Sequence, residues 1–201
     1  RATIAPFAPE SYRDRMLIFR YAGFQYKTNE NWQSNGPVSY KTAKACFKDM
    51  TTPEAVSITS SFAETMLAAK PAGEKVSCSV LQVDDDFWKV FQFDFLSGYP
   101  FDKATFDAGA TKAVITEDIA RQLFGTTDVV GKTFLLNHSA YMICGVVRPV
   151  SKLARYAYAQ IWIPLSSTDA FTASWENYGI MGMVSVYILA KSQDDFPAIR
   201  M

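Results

Sequence analysis

The segment Met183 to Ala190 reads MVSVYILA and is apolar on both faces of a strand. Only the middle of a sheet buries both faces, so this segment predicts a central strand. The rest of the chain has to supply neighbours for it. Arg15 to Tyr26 is aromatic-rich and alternates in part, with Leu17, Phe19 and Tyr21 on one face, which predicts a strand. The polar, Asn-rich run from Lys27 to Gly36 reads as a loop. Gly36-Pro37 suits a helix start, with Pro at the first helical position. Tyr40, Ala43, Phe47 and Met50 then recur at helical spacing, while Lys41, Lys44 and Lys48 point elsewhere. Pro53 stops that helix.

Further strands are expected at Val56–Phe62, Val76–Val83, Ala113–Ile115 and Tyr158–Pro164. Lys132–Leu136 and Ala140–Val147 form a hairpin turning at Asn137-His138-Ser139. Pro71-Ala72-Gly73 is a turn. Thr116 is placed to cap a helix with Glu117 and Asp118 in its first turn, Ile119, Ala120, Leu123 and Phe124 on its apolar face, and Gly125 as a left-handed C-cap. A last helix begins near Asp194. This order is α+β, with helices packed on mixed sheets.

Composition narrows the function. Hydrophobic residues are 49% and charged residues 20% of the 201, so the chain folds. Twenty basic residues balance twenty acidic ones, which gives no electrostatic reason for nucleic acid or an anionic membrane surface as partner. No apolar run approaches the ~20 residues that cross a bilayer. The chain begins at Arg1 and ends at Met201 after a first helical turn, Phe196–Arg200, so both ends read as cuts in a longer protein.

Catalytic chemistry finds little support. Cys46, Cys78 and Cys144 lie far apart in apolar stretches and read as small buried hydrophobes; a Cys78–Cys144 bridge is open. No zinc-type Cys/His spacing occurs. The segment GTTDVVGKT from Gly125 to Thr133 looks like a phosphate-binding loop but has five residues between its glycines where four are needed. It also closes a helix and opens a strand, the reverse of the phosphate-loop context. His138, the single histidine, falls in a hairpin turn with no nucleophile motif beside it. Asp84-Asp85-Asp86 reads as a helix cap rather than a metal cluster, with Asp84 capping. Trp175, Tyr178, Met181 and Met183 are candidates for an apolar groove, weighed against plain packing. No catalytic, cofactor or metal residue is assigned.

A series of short motifs carries more information. Leu81–Trp88 gives a strand followed by an aromatic helical turn, and Phe95-Leu96-Ser97-Gly98-Tyr99-Pro100-Phe101 follows. Ala113-Val114-Ile115-Thr116, Ala120–Gly125, Val130-Gly131-Lys132-Thr133, Ile143-Cys144-Gly145-Val146-Val147 and Ile161-Trp162-Ile163-Pro164 complete it. In this order and spacing the series resembles the periplasmic core domain of MacB-like, FtsX-like ABC transporter permeases, a family that includes lipoprotein-release permeases. Tyr99 stands where that family usually has arginine. Gly145 interrupts a strand, as at a bulge or a close backbone approach.

The resemblance implies a two-lobed extracytoplasmic domain set between two membrane helices. A membrane-proximal lobe would comprise residues 12–60 and 156–201, with an inserted β-rich distal lobe at 61–155. It further implies a non-enzymatic part that transmits ATP-driven motion to substrate or partners outside the membrane. Its partners would be the permease's own transmembrane helices, a second permease copy and a cytoplasmic ATPase. The two chain ends should then lie together. The alternative is a free-standing periplasmic binding module for an apolar or peptide ligand, and a third reading is a hydrolase using His138.

Overall fold

The computed structural model describes residues 7–26, 29–169, 171 and 179–200. The strands are β1 (Met16–Phe19), β2 (Ala22–Tyr26), β3 (Asn29–Gly36), β4 (Ala55–Ser60), β5 (Glu64–Ala69), β6 (Val76–Val83), β7 (Phe95–Gly98), β8 (Lys112–Thr116), β9 (Thr133–Leu136), β10 (Ser139–Val147), β11 (Ile161–Pro164) and β12 (Val184–Leu189). Between them lie α1 (Tyr40–Ala43), α2 (Phe87–Val90), α3 (Lys103–Asp107), α4 (Glu117–Phe124) and α5 (Phe196–Ile199).

One ten-stranded sheet runs β1-β12-β4-β6-β11-β8-β10-β9-β5, with β7 on β10. The β10–β8 and β11–β6 pairs are parallel and the others antiparallel, so the sheet is mixed, as expected. Its path also closes on itself. β5 pairs both β9 and β6, so β5, β6, β11, β8, β10 and β9 form a ring. The ring's inward residues include Ala68, Cys78, Val80, Ile115, Phe134, Ile143 and Ile161. Ile119, Ala120 and Leu123 of α4 join the same interior.

β4, β12 and β1 form an open wing on the ring. The join is at β6, whose edge pairs with β5 from Val76 to Val80 and then meets β4 at Val83↔Thr59. β12 is the inner strand of this wing, flanked by β1 and β4, and every residue from Val184 to Leu189 is buried. Its two apolar faces have separate uses. Tyr187 and Leu189 pack with Phe87, Phe91 and Trp162 on the ring side. Val184, Val186 and Ile188 pack with Ala43, Phe106 and Ile199 on the other. The Trp162 indole, fully buried, donates to the Ala157 carbonyl at 3.1 Å.

Several expectations are corrected. Residues 29–36, read as loop, form β3 and pair with β2 in a separate two-stranded sheet. A hairpin standing apart from the main sheet needs no apolar alternation, which is why the pattern missed it. Glu64–Ala69 carries helix-favouring residues and no strand signal, yet its pairing with β6 and β9 makes it a strand. The first long helix is capped by Ser39, whose Oγ accepts from the Thr42 amide at 3.1 Å, and starts at Tyr40, not at Pro37. It widens into a π turn over Lys44–Lys48.

α4 ends as read. Gly125 has φ 73° and its amide donates to the Arg121 carbonyl at 2.8 Å. Thr116 occupies the N-cap position, but its buried hydroxyl makes no hydrogen bond among the described residues. A Cβ at Gly125 would meet nothing within 4 Å, so Gly125→Ala suffers only the left-handed backbone penalty. The expected loss is about 1 kcal/mol, read as a lower urea midpoint with an unchanged m-value.

Candidate functional site

The residues weighed for catalysis do not come together. His138 is exposed in the β9–β10 turn, where Asn137 and His138 both have positive φ (45° and 75°), the geometry of a two-residue hairpin loop. Cys78 lies inside the ring and Cys144 outside it, so they face different cores; all three thiols are free and Cys46 is exposed, against expectation. Burial pushes the Cys78 and Cys144 thiols up to about 11, which leaves them protonated and unreactive near neutrality. Among the described residues no group of three His, Cys, Asp or Glu could hold a metal ion. Trp175 and Tyr178 lie outside the described residues. Met181 packs against Ser34 and Gly36, and Met183 is half exposed.

The charged centre that does form sits at the joint between ring and wing. Asp84, directly after β6, is fully buried. Its carboxylate accepts from the Ile58 amide at 2.8 Å, the Ser57 hydroxyl at 2.9 Å and the Phe87 amide at 3.1 Å. The last of these holds the turn that leads into α2; the N-cap position itself is Asp86, whose side chain makes no cap bond, so the cap read at Asp84 is displaced by two residues. The other two tie β4 to the end of β6, where the strands share a single residue pair. Lys48 completes the site, with Nζ 2.7 Å from Asp84, 2.6 Å from Asp86 and 2.7 Å from the Val56 carbonyl. Lys89 holds the other Asp86 oxygen at 2.7 Å.

Burial pushes the Asp84 carboxyl up to about 6 against the pull of Lys48. Burial also penalises the Lys48 charge, but Asp84 and Asp86 outweigh it and hold Lys48 above its usual range. The arrangement offers no open face to a substrate. It clamps three elements, and it does so where the two parts of the sheet meet.

A second geometric fact concerns the route of the chain. β1 and β12 are antiparallel neighbours, with Met16 opposite Leu189, so the first strand of the sheet starts beside the end of the last. Arg15 closes that end. Its guanidinium donates to the Ala190 and Lys191 carbonyls at 2.9 Å each and to Glu54 at 3.0 Å. The Gln193 amide reaches the Asp14 carbonyl at 3.1 Å.

Comparison with known proteins places this architecture. The model of the MacB-like periplasmic core domain matches residues 6–201. The chain belongs to the MacB-like periplasmic core domain family. A relative from Bacillus subtilis (strain 168), described as the uncharacterized ABC transporter permease YknZ, is 24% identical over 122 residues, 61% of this chain and 29% of that protein. The match thus spans less than a third of that permease. Among solved structures, the extracellular domain of the noncanonic ABC-type transporter YknZ from Gram-positive bacteria has a TM-score of 0.63 at 15% identity, covering 91% of this chain and 88% of that one. The periplasmic region of MacB from Actinobacillus actinomycetemcomitans gives 0.63 at 15%, covering 89% and 75%. A domain of a putative permease from Porphyromonas gingivalis gives 0.66 at 18%, covering 90% and 75%. At these identities the structural likeness carries the fold of a MacB-like domain and no more. No helix of the described residues is long and apolar enough to cross a membrane.

Proposed function

We propose that this chain is the extracytoplasmic domain of an ABC transporter permease of the export or lipoprotein-release type. In this reading it transmits ATP-driven motion to substrate or partners outside the membrane and is not itself an enzyme. The observation that carries the reading is the pairing of β1 with β12, which brings the two connections to one end of the domain. A domain inserted between two membrane helices requires that arrangement. The partners are then the permease's own transmembrane helices, a second permease copy and a cognate cytoplasmic ATPase.

The two-lobe division belongs to the same reading. The wing with its helices supplies the membrane-proximal lobe, residues 12–60 and 156–201, and the β-rich stretch 61–155 supplies the distal one. β11 is shared, since Ile161–Pro164 pairs with Val80–Val83 inside the ring. The clamp at Asp84 would carry motion from one lobe to the other.

The test uses the full-length permease with its ATPase in nanodiscs. A spin label is placed at the exposed Tyr99 (Tyr99→Cys), with Cys46→Ser removing the exposed native thiol. ATP trapped with vanadate is expected to shift the distance between labels on the two protomers. A distance distribution that ignores nucleotide would sink the transmission reading.

A further inference from the structure

A cleft of about 320 Å³ opens beside the joint, lined by Arg20, Arg155, Tyr156, Tyr158, Tyr187 and Phe62 among others. Arg20 follows β1 and Tyr187 belongs to β12, while Arg155, Tyr156 and Tyr158 lead into β11. The lining therefore comes from both the wing and the approach to the ring. It contains no carboxylate. Glu10, whose carboxylate accepts from the Tyr156 and Ala157 amides, is paired with Arg13 and does not line the cleft.

Both arginines pack on the same ring. The Arg20 and Arg155 guanidinium carbons lie 5.2 and 5.0 Å from the Tyr156 centroid, which puts the two charges no more than about 10 Å apart. That bound is about one Debye length at about 0.1 M salt, so their repulsion is not fully screened. Neither has an ion-pair partner among the described residues. The Arg20 Nε is buried and has no acceptor there. Burial pushes the Tyr187 hydroxyl up, against the hydrogen bond its oxygen accepts from Arg20 and the Arg20 charge, so Tyr187 remains a neutral phenol at neutral pH.

A guanidinium that lines a cleft without a carboxylate partner gains charge-assisted hydrogen bonds from a bound oxyanion. Two guanidiniums lining one cleft, with phenolic hydroxyls beside them, offer donors to the oxygens of a carboxylate or phosphate. Phe62 and Leu81 give the carbon part of such a ligand an apolar wall. The volume is at the small end of ligand sites, enough for a head group or a small molecule.

We propose that this cleft binds an oxyanion, a carboxylate or phosphate borne by a small molecule or a lipid head group, through Arg20 and Arg155. The site stands on the cleft alone and does not depend on the transporter reading. Because its walls come from two parts of the sheet, an occupant would bias their relative position.

The experiment titrates the 201-residue chain with three probes, inorganic pyrophosphate, benzoate and short-chain dihexanoylphosphatidate. Binding is followed by calorimetry and by the Arg20 Nε–H nuclear magnetic resonance signal. At least one probe is expected to saturate and to move that signal. Arg20→Gln and Arg155→Gln should each weaken binding about tenfold or more. Arg121→Gln on α4, an exposed arginine outside the cleft, should leave it unchanged. Arg155 is exposed, so its replacement removes the charge without disturbing a core. Tighter binding of phosphatidate than of pyrophosphate assigns a lipid phosphate, and saturation by benzoate alone assigns a soluble carboxylate. No saturation by any probe, or equal weakening by Arg121→Gln, overturns the site.

Discussion

Asp84→Ala is expected to lower stability by about 3–5 kcal/mol at neutral pH, the range seen when one partner of a buried charge pair is removed. The substitution leaves the Ile58 amide and the Ser57 hydroxyl without the carboxylate they donate to, leaves the Phe87 amide only the Asp84 main-chain carbonyl at 3.3 Å, and leaves Lys48 with Asp86 as its one remaining carboxylate partner. Asp84→Asn should cost less, because an amide oxygen still accepts. The pH dependence separates the two effects. The folded Asp84 carboxyl titrates at about 6, above its unfolded value of about 3.9. Between those values the folded state holds a proton that the unfolded state has released. Stability from this group is thus full below about pH 4 and falls by up to about 3 kcal/mol as pH rises through 6. Asp86 acts in the opposite sense. Burial pushes it up, but Lys48 and Lys89 outweigh that and hold it below its usual value, so its contribution is lost as pH falls. Urea unfolding of wild type and Asp84→Asn between about pH 4 and 7 should show the falling part of the profile vanish in the variant. An Asp84→Ala protein within about 1 kcal/mol of wild type would show that the clamp contributes little.

Gly98→Ala should be comparably damaging, by about 3 kcal/mol or more, for reasons of backbone alone. Gly98 ends β7 with φ 68°, and a Cβ there would lie 2.1 Å from the Cys144 carbonyl oxygen. That oxygen accepts the Tyr99 amide at 3.0 Å, so it cannot retreat without breaking the contact that seats β7. Opposite it stands Gly145, at a register shift in the β10–β8 pair, where a Cβ would meet the Phe95 ring at 2.7 Å and the Tyr99 carbonyl at 2.9 Å. Calorimetric melting of Gly98→Ala and Gly145→Ala would measure this. Gly145→Ala should be the milder, since part of its clash is with a side chain that can turn. A Gly98→Ala melting curve that overlays wild type would refute the close approach.

These cases show which parts of the fold the residues declare locally. Gly145 breaks an apolar strand pattern, and the structure places the bulge there. The α4 segment, the Asn137-His138 turn, the doubly apolar β12 and the Asp84 turn into α2 are each encoded within a dozen residues of themselves. The closing of the ring is not. It depends on Ala68 and Ala69 meeting Leu136 and Leu135, and Glu64–Ala69 has no intrinsic reason to be extended. Lys48 is another such case. On an α-helical wheel it matches Lys41 and Lys44, but the last turn is a π turn, so that wheel no longer holds where it matters. The cleft was equally hidden, because Arg20 and Arg155 are distant in the chain and meet through the topology of β1, β12 and β11. No local signal marks two arginines as neighbours in a carboxylate-free wall.

The adjacency of β1 and β12 also has a mechanical side. A load pulling the two connections apart would act on the pair from its open end, peeling rungs in succession instead of shearing them together. Met16↔Leu189 is the first rung and Phe19↔Val186 the fourth, whereas β12 is held to β4 over six. The ladder would therefore yield from β1 inward, leaving β12 attached. Arg15, bridging the Ala190 and Lys191 carbonyls and Glu54, sits ahead of the first rung, where peeling has to begin.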